Sequence, residues 1–417
     1  MNNNISFINN DILYYNCVSY GDSKSNYYSS LAEFEETRTQ PFLINPQEYY
    51  MSIVRFSIDA SSVPLFVCPV IENPTDPTDI NYTPYVVTLM TNNETFSANL
   101  RYIPNDNVPL PKAPIGNKQD LSGDYYFVYY YSIFIRMINI AIEEAMIKLR
   151  AEYPEVGAVK SAYCQYDSTT SRISLVVPNI YYNDEYVYTV DYDYGGTNMP
   201  LYNPQPPGKI YILINNLLYA HLDGIEAFLL KNYLGGIQFL MCVTDNKNNY
   251  YYPPQNQPNI IADQTQTSFT NGDFTYTTEP EWFIFPQQYT HMNAWNSIAS
   301  IVFLTQMPIK PEYIPSLGII NNSSALGSSS MPILTDFVPD ITVAGEQRTR
   351  FNYIPTGQYR LTEINSTIPL NKIQFKIYWM DRYQNLYPMR ISQGQINSVK
   401  IMFIKKTLYK PALLLNK

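Results

Sequence analysis

The chain has 417 residues, 45% hydrophobic and only 15% charged, with 40 Tyr, 31 Pro and a formal net charge of −9. That length is enough to bury one large core and to accommodate two domains, while so many prolines without a repeat argue against a helical bundle and for strand edges and loops. Cys17, Cys68, Cys164 and Cys242 form no CxxC pair, which excludes a disulfide framework or a zinc ribbon and reads as four reduced thiols.

Residues 1–40 are polar and end in Glu33-Phe34-Glu35-Glu36. They read as an arm that a neighbour would order, and Met1-Asn2-Asn3-Asn4 leads into no apolar run that would make a signal peptide. From residue 41 to 102 strand signals dominate. Tyr50, Val54, Phe56 and Ile58 share one face, and Tyr85–Met90 with Phe96–Tyr102 reads as a hairpin around Asn92-Asn93. An insertion is expected over 103–282. It opens on a Pro/Asn-rich connector and holds an amphipathic helix, in which Phe134, Met137, Ile138, Ala141, Ala145 and Leu149 recur at helical spacing until Pro154. Ile210 to Leu230 reads as one helix or two short ones. The stretches 181–208 and 244–281 read as exposed polar excursions.

The last part, 283–417, returns to strand. Ile298 to Thr305 is wholly apolar, as a strand covered on both sides requires. Ile373, Phe375, Ile377 and Trp379 alternate with Gln374, Lys376 and Tyr378, and Val399, Ile401 and Phe403 repeat the pattern. Strands at both ends with helices between them predict a mainly β protein: a jelly-roll sandwich closed by its N- and C-terminal parts and carrying an α+β insertion. From Arg348 onward twelve Lys and Arg face only Glu363 and Asp381, a local balance of +10 that leaves −19 for the remainder. Such a basic end on an acidic body fits two surfaces with different neighbours, one of them nucleic acid or an acidic protein; a merely solvated set of lysine-rich strand faces fits as well.

No catalytic constellation appears. His221 and His291 belong to no HExxH set, and GxSxG and GxxxxGK[ST] are absent. Asp184/Glu185 and Asp191/Asp193 are carboxylate pairs in a loop without an apolar scaffold, which suits a solvated loop better than a glycosidase cleft. No run of eighteen apolar residues offers a membrane helix. No cofactor or metal site is expected. The tyrosine runs Tyr125-Tyr126, Tyr129-Tyr130-Tyr131, Tyr181-Tyr182 and Tyr250-Tyr251-Tyr252 lie in an acidic background that repels phosphate, so subunit contact is their expected use.

Several segments carry a resemblance. Leu334-Thr335-Asp336-Phe337-Val338-Pro339-Asp340, Tyr359-Arg360, Ile377-Tyr378-Trp379-Met380-Asp381 and Ile401-Met402-Phe403-Ile404-Lys405-Lys406 resemble the C-terminal signature of the minor capsid, or penton, proteins of Sputnik-like virophages and polinton-type viruses. Asn45 to Phe56 is similar to their first core strand, Tyr129 to Ala145 to their tyrosine-led helix, and Asn293 to Glu312 to the strand before their linker. About half the chain is touched. The resemblance implies a jelly roll standing across an icosahedral shell with its insertion outward, five copies forming a vertex capsomer in the virion of a virus assembled from host-made protein. It implies partners among identical copies and the neighbouring major capsid protein. Lys405, Lys406 and Lys410 would face those neighbours or packaged DNA, and Tyr250, Tyr251 and Tyr252 are the candidate contact residues of the insertion. The residues alone leave three other readings open: a carbohydrate- or receptor-binding fibre protein, a glycosidase using Asp191 or Asp193, and a major capsid protein with two jelly rolls.

Overall fold

The computed structural model describes residues 11–21, 30–91, 94–105, 108–121, 123–156, 159–178, 181, 210–241, 243–244, 250–251, 268–271, 274–277, 282–289, 295, 297–310, 332–339, 350–354 and 360–408. The chain divides into two compact units. One joins Met1–Pro64 to Asn296–Lys417, and the other is Leu65–Trp295.

Eight principal strands build the first unit: β1 (Ile12–Tyr20), β2 (Glu33–Thr37), β3 (Tyr49–Asp59), β4 (Ser300–Thr305), β5 (Ile333–Phe337), β6 (Arg350–Tyr353), β7 (Lys372–Met380) and β8 (Ile396–Lys405). One sheet runs β1-β8-β3-β6 and the other β2-β7-β4-β5, every pairing antiparallel. First beside eighth, eighth beside third, second beside seventh: this is the order that two Greek keys impose on a jelly roll. Inward side chains meet between the sheets, where the Phe56 ring lies 5.6 Å from Phe303 and 5.1 Å from Phe337. The expected sandwich of N- and C-terminal parts is therefore present, with Tyr50–Ile58 and Ile373–Trp379 in one unit.

The alternation read in β7 is real. Ile373, Phe375, Ile377 and Trp379 are buried, with Gln374 and Lys376 only partly so. β4 is buried at every position. Its Val302 and Leu304, on the face away from the sandwich core, join Ile333, Tyr378 and Leu386 in a separate apolar cluster. A wholly apolar strand is thus explained by cover on both faces.

Residues 12–20 and 33–37, expected within an arm, are strands instead. Ile12 to Tyr20 pair with Ile404 to Ile396 along their whole length, and Glu33–Thr37 pair with Lys376–Lys372. The second unit begins at Leu65, so the hairpin expected in the sandwich belongs elsewhere. Tyr82–Thr91 and Glu94–Arg101 do pair with each other, but Tyr82–Thr91 also pairs with Tyr211–Asn215 and so joins the five-stranded sheet of the second unit.

In that unit the predicted helix, α1 (Tyr131–Glu152), packs on this sheet and on the strand Tyr163–Asp167 of a three-stranded sheet. Buried Asn139 pins it: its Nδ2 donates to the Cys164 carbonyl at 3.0 Å and its Oδ1 accepts from the Cys164 N–H at 2.7 Å. Ile210–Leu230, expected helical, is strand Tyr211–Asn215, a short helix α2 (Asn216–Leu222) and strand Phe228–Tyr233. The apolar run Ile212-Leu213-Ile214 is buried on both faces, and the Asn215 side chain accepts from the Leu218 N–H to start α2.

Candidate assembly surfaces

Groups that could do chemistry are spent on structure. His221 of α2 is buried, its Nε2 3.0 Å from the Tyr85 hydroxyl, inside a cage of Phe66, Phe134 and Trp295 rings with centroids 4.6, 4.7 and 4.9 Å away. Cys17, Cys68 and Cys164 are buried thiols, and burial pushes Cys17 and Cys164 up to about 12, so they stay protonated. No group of three or more His, Cys, Asp or Glu among the described residues could hold a metal ion. His291, Asp184, Glu185, Asp191, Asp193 and Cys242 lie outside the described residues.

The tyrosines divide. Tyr125 and Tyr126 are buried against each other and against Tyr102, and Tyr131 stacks on Tyr166 with centroids 4.4 Å apart. Tyr181 is buried too, its hydroxyl accepting from the Ala162 N–H. Tyr125, Tyr126 and Tyr181 are core residues and Tyr131 is half-buried against that core, while Tyr130 is 62% exposed. Tyr250 and Tyr251 form a two-residue strand paired with Val243 and Thr244; Tyr182, Tyr252 and Lys410 lie outside the described residues.

The basic end meets acids of its own chain. Lys372 Nζ is 2.6 Å from Glu35 and Lys376 Nζ 3.3 Å from Glu33, both carboxylates carried by β2. Lys405 Nζ is 3.2 Å from Asp11, Arg360 pairs with Asp336, and Lys406 and Lys310 share Glu363. The lopsided charge along the sequence is therefore in part an internal match: Arg360, Lys372, Lys376, Lys405 and Lys406 are paired with Asp336, Glu35, Glu33, Asp11 and Glu363. Sequence reasoning missed the pairing because its two sides lie at opposite ends of the chain.

Acid should loosen this match. Lys406, by hydrogen bond and then by charge, holds the Glu363 carboxyl below the usual range, with Lys310 adding to it. Hydrogen bonds from Tyr15 and Arg38 do the same for Glu36. A carboxyl more acidic when folded than when unfolded stabilises fully above its unfolded value of about 4.3, and that contribution is lost as pH falls through the folded value. Stability is expected to be flat from neutrality to about pH 5 and to decline below about pH 4. Thermal midpoints across that range should show a shallower decline for Glu363→Gln; an unchanged slope would mean that the carboxylate contributes nothing.

One surface is not spent. β1 is the edge strand of its sheet. Its inward residues Leu13, Tyr15 and Cys17 enter the sandwich, while Ile12, Tyr14, Val18 and Tyr20 on the other face are 41%, 50%, 38% and 66% exposed. Ile396, paired with Tyr20, adds a fifth exposed apolar side chain. Lys400 lies over the Tyr14 ring at 4.5 Å and stands opposite exposed Arg55 on β3. The only carboxylate on β1, β8, β3 and β6 is Asp59, which is buried and accepts from Ser61 and Ser392. The sequence signal was available, since β1 reads apolar at both parities.

A family model described as Sputnik minor capsid protein V18/19 matches residues 13–405. The chain belongs to that family. The structural protein V19 of Sputnik virophage is 29% identical over 247 residues, 59% of this chain and 94% of the relative. A second protein of that virus, the uncharacterized protein V18, is 36% identical over 127 residues, 29% of this chain and 75% of the relative. A chain in the cryo-electron microscopy structure of the Sputnik virophage superposes with a TM-score of 0.69 at 28% identity, covering 96% of this chain and 100% of that one. The crystal structure of the mavirus penton protein superposes at 0.57 over 95% of this chain and 100% of its own, but at 10% identity that likeness is one of fold alone. Membership makes this family member a structural capsid protein and not an enzyme, and among the described residues His221, Cys17, Cys68 and Cys164 are buried in its cores.

Proposed function

We propose that the chain is the subunit of a homopentameric capsomer at the five-fold vertices of an icosahedral capsid, its sandwich standing across the shell and its 65–295 unit projecting outward. The observation that carries this reading is a jelly roll closed by both ends of a minor capsid family member. The fold shared with a penton protein supports the vertex position. Neighbouring partners would be the major capsid protein and, through the basic end, packaged DNA. Lys405, Lys406 and Lys410 are the residues proposed to reach them, the first two while still holding Asp11 and Glu363. Tyr250, Tyr251 and Tyr252 are the proposed contact residues of the 65–295 unit, and synthesis is assigned to the host cytoplasm. Electron microscopy of the purified protein tests the central point: rings with five-fold symmetry are expected. A protein that stays monomeric at high concentration and is missing from virions would overturn it.

A further inference from the structure

A second apolar surface lies in the 65–295 unit. We propose that the hairpin formed by Phe228–Tyr233 and Gly236–Leu240 is a membrane-contact element, its tip seating aliphatic side chains in the surface of a lipid bilayer. The inference goes beyond the capsomer reading and does not depend on it.

The turn of this hairpin is built against local preference. Tyr233 pairs with Gly236, so the loop is two residues long, and both of them, Leu234 and Gly235, have positive φ, +50° and +77°. Such a turn favours Asn-Gly, because asparagine and glycine enter the left-handed region with little penalty and a leucine does not. Leu234 nevertheless stands there 47% exposed, so burial does little to offset its strain. Behind it the apolar strip continues. Leu229 and Ile237 are 41% and 43% exposed. Leu229 is the register partner of Phe239, and Ile237, two residues along, shares that face. Phe239 itself is stacked on Tyr219 of α2, ring centroids 3.8 Å apart, so the strip starts beside a ring that the helix already covers.

Size, backbone and charge agree on the occupant. A lasting protein contact takes about 20–30 residues from each side. Three aliphatic side chains at the end of a hairpin offer no such area, whereas a fluid bilayer needs no complementary surface. Strand addition is disfavoured as well. Phe228–Tyr233 is the edge of its five-stranded sheet, but its register shifts between Leu230 and Tyr233 and it carries exposed Lys231, two devices that blunt a pairing edge. Between Glu226 and Asp245 the only charged residue is Lys231. Neither the neighbouring strand Tyr211–Asn215 nor α2 carries a carboxylate. Asp223 and Glu226 precede Phe228, at the end of the hairpin away from the turn. An apolar tip with one lysine, and no acid on the elements that flank it, suits the headgroup layer: phosphates attract the ammonium group while the acyl boundary takes the leucines and isoleucine.

The test floats the purified full chain with vesicles of phosphatidylcholine, with and without phosphatidylserine, as wild type, Leu234→Asn, Lys231→Glu, and Leu229→Ser with Ile237→Ser. Wild type should rise with the vesicles, more of it when phosphatidylserine is present. Leu234→Asn should melt no lower than wild type, since asparagine suits the turn, yet bind vesicles about tenfold more weakly for want of one half-exposed leucine. The double serine variant should lose binding, and Lys231→Glu only the preference for phosphatidylserine. Wild type that stays off both kinds of vesicle, or Leu234→Asn that binds as wild type does, would overturn the inference. So would a Leu234→Asn protein that melts well below wild type, which would make the leucine a structural residue. Every variant should show the same oligomeric state as wild type. One that does not would give the strip to a contact between copies and end the membrane reading, while failure to bind vesicles would leave the pentamer standing.

Discussion

Replacing Phe303 by alanine should cost the sandwich about 3–5 kcal/mol, the usual range for emptying a buried aromatic site. The side chain is fully buried on β4, its ring 5.6 Å from Phe56 on β3, 5.7 Å from Phe337 on β5 and 5.9 Å from Phe375 on β7. Three other strands therefore lose a common neighbour, one of which precedes the 65–295 unit in sequence while the other two follow it. Against a total stability of about 5–15 kcal/mol, the melting midpoint of the sandwich should fall by roughly 10 °C. Phe303→Leu, which keeps most of the volume, should fall by much less. A Phe303→Ala midpoint within a degree or two of wild type would mean that this aromatic cluster does not join the two parts of the chain.

Gly224→Ala is expected to damage the 65–295 unit nearly as much, for a different reason. Gly224 follows α2 with φ +95°, and a Cβ there would sit 2.9 Å from the Tyr289 carbonyl oxygen. That oxygen cannot easily retreat. The Gln288 N–H donates to the Gly224 carbonyl at 2.8 Å, Gln287 Nε2 donates to the Asp223 carbonyl at 2.8 Å, and Gln287 Oε1 accepts from the Ile173 N–H. Backbone strain and the close contact together should cost about 2–4 kcal/mol, read as a lower melting midpoint and faster proteolysis of this unit. Gly394 is the control: its φ is +75° but nothing lies within 4 Å of the Cβ position. Asn tolerates that conformation, so Gly394→Asn should be nearly silent. Equal behaviour of the two variants would leave the contact with Tyr289 without consequence.

What the sequence made legible was whatever repeats locally. The alternation in Lys372–Met380, the unbroken apolar run over Ser300–Thr305 and the helical spacing from Phe134 to Leu149 each state their own conformation, because one buried face is enough to specify it. The hairpin of Tyr82–Thr91 and Glu94–Arg101 was legible as a hairpin, but nothing in its period says which sheet it joins, and its third strand lies at Tyr211. β1 was obscured by the polar residues on either side of it; its Tyr15 and Cys17, with half-buried Leu13, become an inward row only once β8 is beside them. Tyr125, Tyr126 and Tyr181, read as contact residues, are buried because a ring with a satisfied hydroxyl suits a core as well as an interface. Tyr126 takes the core option, its hydroxyl donating to the carbonyl of Ile80 at 3.0 Å. The cationic C-terminal strands read as a surface for a partner, and nothing local in the sequence says that Lys372, Lys376 and Lys405 meet the carboxylates of Glu35, Glu33 and Asp11.

Because Ile12 pairs with Ile404 and Tyr20 with Ile396, strand β1 has to wait for β8, which is made only after the whole 65–295 unit has left the ribosome. Contacts so distant in sequence form slowly, whereas residues 65–295 are contiguous and free to fold while translation continues. A prematurely terminated product would lack β8, and with it the neighbour of both β1 and β3. Such a chain would carry a folded middle and no sandwich, so incomplete translation products would be barred from the shell by topology alone.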